Sequence, residues 1–167
     1  MNWLLLILTL PTENASARMR AWRGLKACGA VVLRDGVYLL PAGEARRTSL
    51  AAIAQDITAS GGTAWLMEAT GEDYAPLFDR TAEYRQLAAD IGACQDDLDR
   101  VAAPDLARLA RKLRKGFDAL AAIDFFPGPA QAQTASLLER LDEALRARLS
   151  PGEPSPAAGA VARRDPT

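Results

Sequence analysis

The order of apolar and helix-forming segments in the first seventy residues constrains the fold most strongly. Short apolar runs typical of buried strands cover Trp3–Leu10, Ala30–Leu33, Val37–Leu40 and Thr63–Ala69. One helical stretch follows the first run, and a second, Arg46–Ser60, follows the third run. This strand–helix–strand–strand–helix–strand order is the split βαβ pattern. We therefore predict an α+β fold with a ferredoxin-like domain over residues 1–70, a class that hosts many functions.

Local signals predict where these elements begin, end and pack. Thr12 or Asn14 can cap the first helix, and Gly29 can end it. Asp35-Gly36 is a tight-turn dipeptide between the second and third strands, although one bent strand also fits. The residues at helical spacing that we expect to face inward from the first helix are Ala15, Met19, Trp22 and Leu25. Those of the second helix are Leu50, Ile53, Ala54 and Ile57.

Residues 71–149 are almost all helix-forming and predict a helical region packed on the sheet domain. Glu72–Leu98 fits one long helix or two helices broken near Gly92. A second helix begins at Pro104 and runs to about Ile123, and Thr134–Leu149 forms the last one. Residues 150–167 are dominated by Pro, Gly, Ala and Ser and predict a disordered tail.

The residue types present exclude several classes of chemistry. The chain has no histidine, which excludes His-ligated zinc sites and Ser-His-Asp or Cys-His catalysis. Cys28 and Cys94 are far apart and form no CxxC, so they indicate buried thiols in a reducing cytoplasm, with a reactive thiol as the alternative. No GxGxxG, P-loop, HExxH or GxSxG motif occurs. We expect no enzyme activity, no catalytic residues, no metal and no cofactor.

The aromatic and apolar residues predict a packed interior and no membrane segment. The run Trp3–Leu10 has eight residues and no preceding Lys or Arg, which favours a strand over a secretory signal. No stretch approaches the roughly 20 apolar residues of a membrane span. We expect Trp3, Trp22, Tyr38 and Trp65 in the core, because a platform for stacking bases needs solvent-facing aromatics.

A net charge of −1 hides strongly charged blocks. Residues 14–47 carry a net charge of +5, residues 48–99 of −8, residues 100–117 of +5 and residues 118–145 of −4. Bulk charge therefore predicts no affinity for nucleic acid, and any such surface has to be a local patch.

The second basic block is amphipathic and allows two interpretations. Four cations share one helical face: Arg108, Arg111, Lys112 and Lys115. The opposite, apolar face holds Leu106, Leu109, Leu113, Phe117 and Leu120. A matching acidic arc on the preceding helix consists of Asp79, Glu83, Asp90 and Asp97. Either the two charged faces pair, each exposed pair contributing about 0–1 kcal/mol, or the cations meet phosphates.

The first basic block offers four more candidates. Arg20 and Arg23 project away from the predicted apolar face of their helix. Arg46 and Arg47 lie in the first turn of the second helix, where the helix dipole disfavours cations. Contact with phosphate would explain their position, and so would a tertiary carboxylate such as Glu44 or Asp56.

Several short motifs resemble the N-terminal region of the ChrB family, regulators associated with bacterial chromate-resistance operons. They include Trp3-Leu4-Leu5-Leu6 followed by Leu10-Pro11, the run Trp22-Arg23-x-Leu25-Lys26-x-x-Gly29-Ala30, and Val37-Tyr38-Leu39-Leu40-Pro41. Later motifs are Arg108-x-x-Arg111-x-Leu113, Phe117 and Ile123-Asp124-Phe125-Phe126-Pro127. The resemblance covers about residues 2–149, and the first half also resembles the ferredoxin-like domain of PaaX-type repressors.

The resemblance implies a cytoplasmic, DNA-binding transcriptional regulator of chromate resistance. The residues that it leads us to expect at DNA are Arg20, Arg23, Arg46, Arg47, Arg108, Arg111, Lys112 and Lys115. The alternative is an interaction module that pairs with a separate ChrB C-terminal-type chain and contacts no DNA. The sequence leaves the formation of a homodimer open.

Overall fold

The computed structural model describes residues 1–149, and a four-stranded sheet forms its first part. The elements are β1 (Asn2–Thr9), α1 (Ala15–Ala27), β2 (Val31–Arg34), β3 (Val37–Pro41), α2 (Glu44–Ala59) and β4 (Thr63–Thr70). The strands lie in the order β2-β3-β1-β4, and each neighbouring pair is antiparallel. This order confirms the predicted α+β, ferredoxin-like fold. Within the described residues, no helix combines the length and apolar character needed to cross a membrane.

The second part is helical, as predicted, but it begins differently. A short 3₁₀ helix (Ala75–Phe78) precedes α3 (Thr81–Asp96), α4 (Ala103–Ala122) and α5 (Pro129–Leu149). The prediction of a helix from Glu72 was wrong. Pro76 lies in the 3₁₀ turn, and the Asp79 carboxylate accepts hydrogen bonds from the backbone N–H and hydroxyl of Thr81 at 2.9 and 2.6 Å. These contacts start α3 at Thr81, and α3 continues through Gly92 without a break.

The buried apolar residues form two clusters, one centred on the sheet and one among the helices of the second part. The first cluster joins the sheet to α1 and α2 and includes Leu4, Leu6, Leu25, Leu40 and Leu50. The second lies between α3, α4 and α5 and includes Ile91, Cys94, Leu106, Leu113, Leu138 and Leu141. The first cluster also contains Phe78, which lies beyond residue 70, so the domain boundary predicted there stays a prediction. The predicted tail lies outside the described residues.

The inward face of α1 differs from the prediction. Ala17, Ala21 and Leu25 are buried, whereas Met19 and Trp22 are 51% and 49% exposed. The reason is close packing against α2: a Cβ added at Gly24 would lie 3.2 Å from Ile53 Cδ1. Small residues therefore face α2, and the large apolar residues of α1 remain at the surface.

The aromatic residues separate into a buried group and an exposed group, contrary to the prediction that all are core. Trp3 is fully buried, its ring stacked on Phe78 at 5.7 Å between centroids. Tyr38 is partly buried, and Trp65 is 55% exposed. Trp3 and Trp65 lie on the same face of the sheet, because β1 and β4 pair Ile7 with Trp65 and side chains alternate along a strand. Among the residues that the structure describes, the segment carrying Phe78 covers the Trp3 end of that face and leaves Trp65 exposed.

Candidate nucleic-acid interface

The helix α4 presents the predicted cationic face to solvent. Leu106, Ala110 and Leu113 are buried, while the opposite face exposes Arg108, Arg111, Lys112 and Lys115. Pro104 in the first turn fits a helix start, because its missing N–H would be unpaired there. Leu109 is 40% exposed, so its predicted place on the apolar face was wrong.

Three of the four carboxylates of the predicted acidic arc, Asp79, Glu83 and Asp90, have partners close to themselves in sequence. Asp79 accepts from Thr81, and these hydrogen bonds lower the pKa of the Asp79 carboxyl. Glu83 pairs with Arg80 at 3.1 Å, and Asp90 accepts from Gln86 Nε2 at 3.0 Å. Within residues 1–149, no ion pair joins the cationic face of α4 to α3. The pairing of the acidic face of α3 with the cationic face of α4 is therefore not formed in this part of the chain.

Between α4 and α5 lies an open cleft of about 490 Å³, which we call the cationic cleft. It is lined by four cations, Arg111, Arg114, Lys115 and Arg146, together with two carboxylates, Asp118 and Asp142. Its floor and rim are formed by Ala107, Ala110, Leu145 and Leu149. The cleft joins two predicted DNA-contact residues to two cations that the sequence analysis did not select.

Within the cleft, one ion pair links the two helices. Arg114 Nη2 donates to Asp142 Oδ2, and both side chains are about one-third exposed. Arg111, Lys115 and Arg146 form no ion pair within the described residues. Positive charge therefore exceeds negative charge along the cleft, which suits it to the oxygens of phosphate groups.

Of the two cations of the cleft that were not predicted, Arg146 has a weak signal in the sequence. Asp142, Arg146 and Leu149 follow one another at helical spacing along α5. That spacing shows a shared face but not that the face lies against α4. Only the packing of α4 and α5 in the structure brings Arg146 beside Arg111 and Lys115.

The cations of α1 and α2 have partners of their own. Arg20 donates to Asp56 at 3.3 Å and to the Ser60 hydroxyl at 3.3 Å, which ties α1 to α2. Arg47 forms an ion pair with Glu68 on β4. A tertiary carboxylate therefore explains the position of Arg47, with Glu68 rather than Glu44 or Asp56 as its partner.

Arg46 has a structural role, and Arg23 stays exposed. The Arg46 guanidinium donates to the carbonyl oxygens of Pro41 and Ala42 at 2.7 and 2.8 Å and lies 5.0 Å from the centre of the Phe125 ring. It holds the end of β3 and leaves little capacity for a phosphate. Arg23 donates to the Met19 carbonyl at 3.3 Å and has no ion pair within residues 1–149.

Neither thiol lies in an environment that favours the thiolate. Burial raises the pKa of Cys28, whose Sγ donates to the Leu25 carbonyl at 3.2 Å. Burial and the carboxylate of Asp97 raise the pKa of Cys94. Both are held in the protonated form at neutral pH, which is the less nucleophilic form.

Comparison with known proteins gives one family and one curated relative. The family model described as "Protein ChrB, N-terminal" matches residues 18–148. Protein ChrB of Cupriavidus metallidurans is 40% identical over 171 residues, which cover 99% of this chain and 53% of that protein. The chain therefore spans about half the length of the curated relative that it matches.

One solved structure shares the fold. Uncharacterized protein Rv0674 from Mycobacterium tuberculosis superposes with a TM-score of 0.50 and 18% sequence identity. The match covers 89% of this chain and 64% of that one. At this identity the likeness supports the arrangement of strands and helices and carries no information about function.

Proposed function

This chain belongs to the family of the ChrB N-terminal region, and on that basis we propose that it is a DNA-binding regulatory protein associated with chromate resistance. One observation supports the DNA-binding part above all others. The cationic face of α4 is exposed and, within the described residues, is not neutralised by α3. A basic patch along one helix is the electrostatic footprint expected of a surface that binds nucleic-acid phosphates.

The dimensions of this surface suit one strand of a duplex. Arg111 to Lys115 spans four residues, or about 6 Å along the helix axis. One DNA strand carries a phosphate about every 3.4 Å of duplex axis, so this row of cations can meet about two phosphates. Arg146, on the other side of the cleft, adds a contact from α5. Contacts of this kind position a protein on DNA and do not read its sequence.

The eight predicted contact residues are not equally suited to this role. The proposed interface keeps Arg111, Lys112 and Lys115 and adds Arg146. Arg108 lies beside them, but it is paired with Asp105 on its own helix. Arg20, Arg46 and Arg47 have intramolecular partners that a phosphate would have to displace. Arg23 lies on α1 and would need a second contact surface.

The experiment is a binding assay on a quadruple Gln variant at Arg111, Lys112, Lys115 and Arg146. A labelled duplex of random sequence is the ligand, because phosphate contacts are independent of sequence. We expect the variant to lose most of its affinity while its melting temperature changes little. The control removes the same charge from exposed arginines elsewhere, by Gln at Arg34, Arg85, Arg100 and Arg140. Equal affinities of the two variants would refute the proposed interface.

A second candidate is a module that pairs with a separate ChrB C-terminal-type chain. The observation in its favour is the uncovered part of the sheet face, where Trp65 and Met67 are 55% and 45% exposed beside partly buried Leu5 and Ile7. Apolar patches of this kind often mark contacts between proteins. Co-elution of the two chains, lost in a Trp65→Ser and Met67→Ser variant, would support this function. Co-elution that survives the double substitution would argue against this face.

A further inference from the structure

A second cavity lies between α1 and the sheet, away from the cationic cleft. Its volume is about 340 Å³, at the lower end of the range of about 300–1,000 Å³ for small-molecule sites. It is lined by Leu8, Leu10, Arg18, Met19, Ala21, Trp22, Leu25 and Tyr38. We call it the α1 cavity.

The α1 cavity is lined mainly by apolar side chains, two of which are only half buried. Met19 and Trp22 leave about half of their surface exposed. They are not needed for packing α1, since Ala17, Ala21 and Leu25 bury its inner face. Exposing two large apolar side chains beside a cavity costs free energy, which a bound apolar group would recover. Unbranched Met adapts readily to the shape of a ligand.

The charged residue that lines the α1 cavity is a cation. Arg18 lines it and donates to the Pro11 carbonyl at 3.2 Å, and it has no ion pair within residues 1–149. Lys26 Nζ lies 5.0 Å from the centre of the Trp22 ring. The cavity lining includes no carboxylate, and α1 itself contains none. An apolar site lined by one cation and no carboxylate complements a ligand that combines an apolar body with a negative group.

We propose that the α1 cavity binds an amphipathic organic anion, an aromatic or acyl body bearing one carboxylate or sulfonate. The body packs against Trp22 and Met19, and the anionic group lies at Arg18. The α1 cavity shares no residue with the cationic cleft, so this inference does not rest on DNA binding.

Two fluorescent probes of similar shape test the proposal on the full chain. One is 8-anilino-1-naphthalenesulfonate, which is anionic, and the other is N-phenyl-1-naphthylamine, which is neutral. We expect saturable binding of the anionic probe at one site per chain. Trp22→Ala should weaken it about tenfold, equivalent to about 1.4 kcal/mol. Arg18→Gln should weaken the anionic probe and leave the neutral one unchanged. Met19→Glu, which adds a carboxylate at the cavity, should weaken the anionic probe more than the neutral one.

Leu77→Ala is the control, because Leu77 is 48% exposed, close to the 49% of Trp22, and does not line the α1 cavity. It should leave the affinity of both probes unchanged. Circular dichroism checks that each variant is folded. The proposal is wrong if Trp22→Ala and Leu77→Ala have equal effects, or if Arg18→Gln weakens both probes alike. Absence of saturable binding to the wild-type chain would also overturn it.

Discussion

Trp3 and Trp65 show how strongly the surroundings of one residue decide its role. Both lie on the same face of the sheet, yet Trp3 is fully buried and Trp65 is 55% exposed. Trp3 contacts the rings of Tyr74, Phe78 and Phe126, and its Nε1 donates to the Glu72 carbonyl at 3.1 Å. These partners lie about 70 and 120 residues further along the chain. Trp3 therefore joins the sheet to the segments before α3 and after α4.

We expect Trp3→Ala to destabilise the fold by about 3–5 kcal/mol, the usual cost of removing a fully buried large aromatic side chain. Trp65→Ala should cost less than about 1 kcal/mol, because its ring is already largely hydrated. Urea denaturation of both variants, followed by circular dichroism, measures the difference. Similar losses of stability in the two variants would show that the sheet face at Trp65 is covered in solution.

Tyr84 gives a prediction about pH. Its side chain is buried against Phe117, and its hydroxyl has no hydrogen-bond partner within the described residues. Burial, with a further contribution from Asp124, raises the pKa of Tyr84 to about 12, from about 10 in an unfolded chain. The neutral phenol is thus favoured in the folded state. Its contribution to stability is complete below pH 10 and is lost as the pH rises from about 10 to 12.

Tyr84→Phe should therefore change how the free energy of unfolding depends on pH above pH 10, and leave its value at neutral pH nearly the same. Tyr84→Phe removes a buried polar atom without a partner, so the free energy of unfolding at pH 7 should stay equal or rise slightly. The decline in stability between pH 10 and 12 should become shallower. Denaturation curves at several pH values test this, and an unchanged alkaline decline would contradict it.

The start of α1 could be predicted from its sequence, but the face that it buries could not. The start of the helix was predictable, because the Asn14 side chain accepts from the Ala17 N–H at 3.2 Å, a local contact. Its inward face was not. Hydrophobic periodicity selects large residues such as Met19 and Trp22, whereas close contact with α2 requires the small ones.

Asn14 is expected to stabilise more than its own helix. Besides capping α1, its Nδ2 donates to the Ser60 carbonyl at the end of α2 at 3.3 Å. Asn14→Ala should cost about 1–2 kcal/mol, the upper part of the range for N-caps. Asn14→Asp keeps the cap but loses the donor to Ser60, so its loss should be smaller. Thermal unfolding ranks the variants, and equal losses would show that the Ser60 contact carries the effect.

Features that depend on local contacts were predictable from the sequence, and features that depend on distant contacts were not. The sheet order followed from the succession of elements, and Gly36 at φ 72° confirms the tight turn between β2 and β3. The cationic face of α4 followed from helical spacing. The neutralisation of Arg20 and Arg47, the backbone contacts of Arg46 and the place of Arg146 could not be predicted, because each depends on which elements meet.

At the scale of the whole molecule, ionic contacts sort the two basic blocks into different roles. In the sheet domain, Arg20 and Arg47 pair with carboxylates on other elements, and Arg46 holds backbone carbonyls. In the helical region, only Arg114 forms an ion pair between helices. Within residues 1–149, an almost neutral chain thereby keeps a concentrated cationic surface on α4 and α5. The proposed DNA contact depends on this surface.

The salt dependence of DNA binding tests whether the cations of α4 and α5 contact phosphates. Each phosphate contact releases counterions and adds about 0.9 to the slope of log affinity against log salt. We expect the quadruple Gln variant at Arg111, Lys112, Lys115 and Arg146 to lower the magnitude of the slope by about 3 between about 50 and 200 mM salt. The matched variant at Arg34, Arg85, Arg100 and Arg140 should change it by less than about 1. Equal slopes for the wild-type chain and this quadruple variant would show that the cationic surface on α4 and α5 does not contact DNA phosphates.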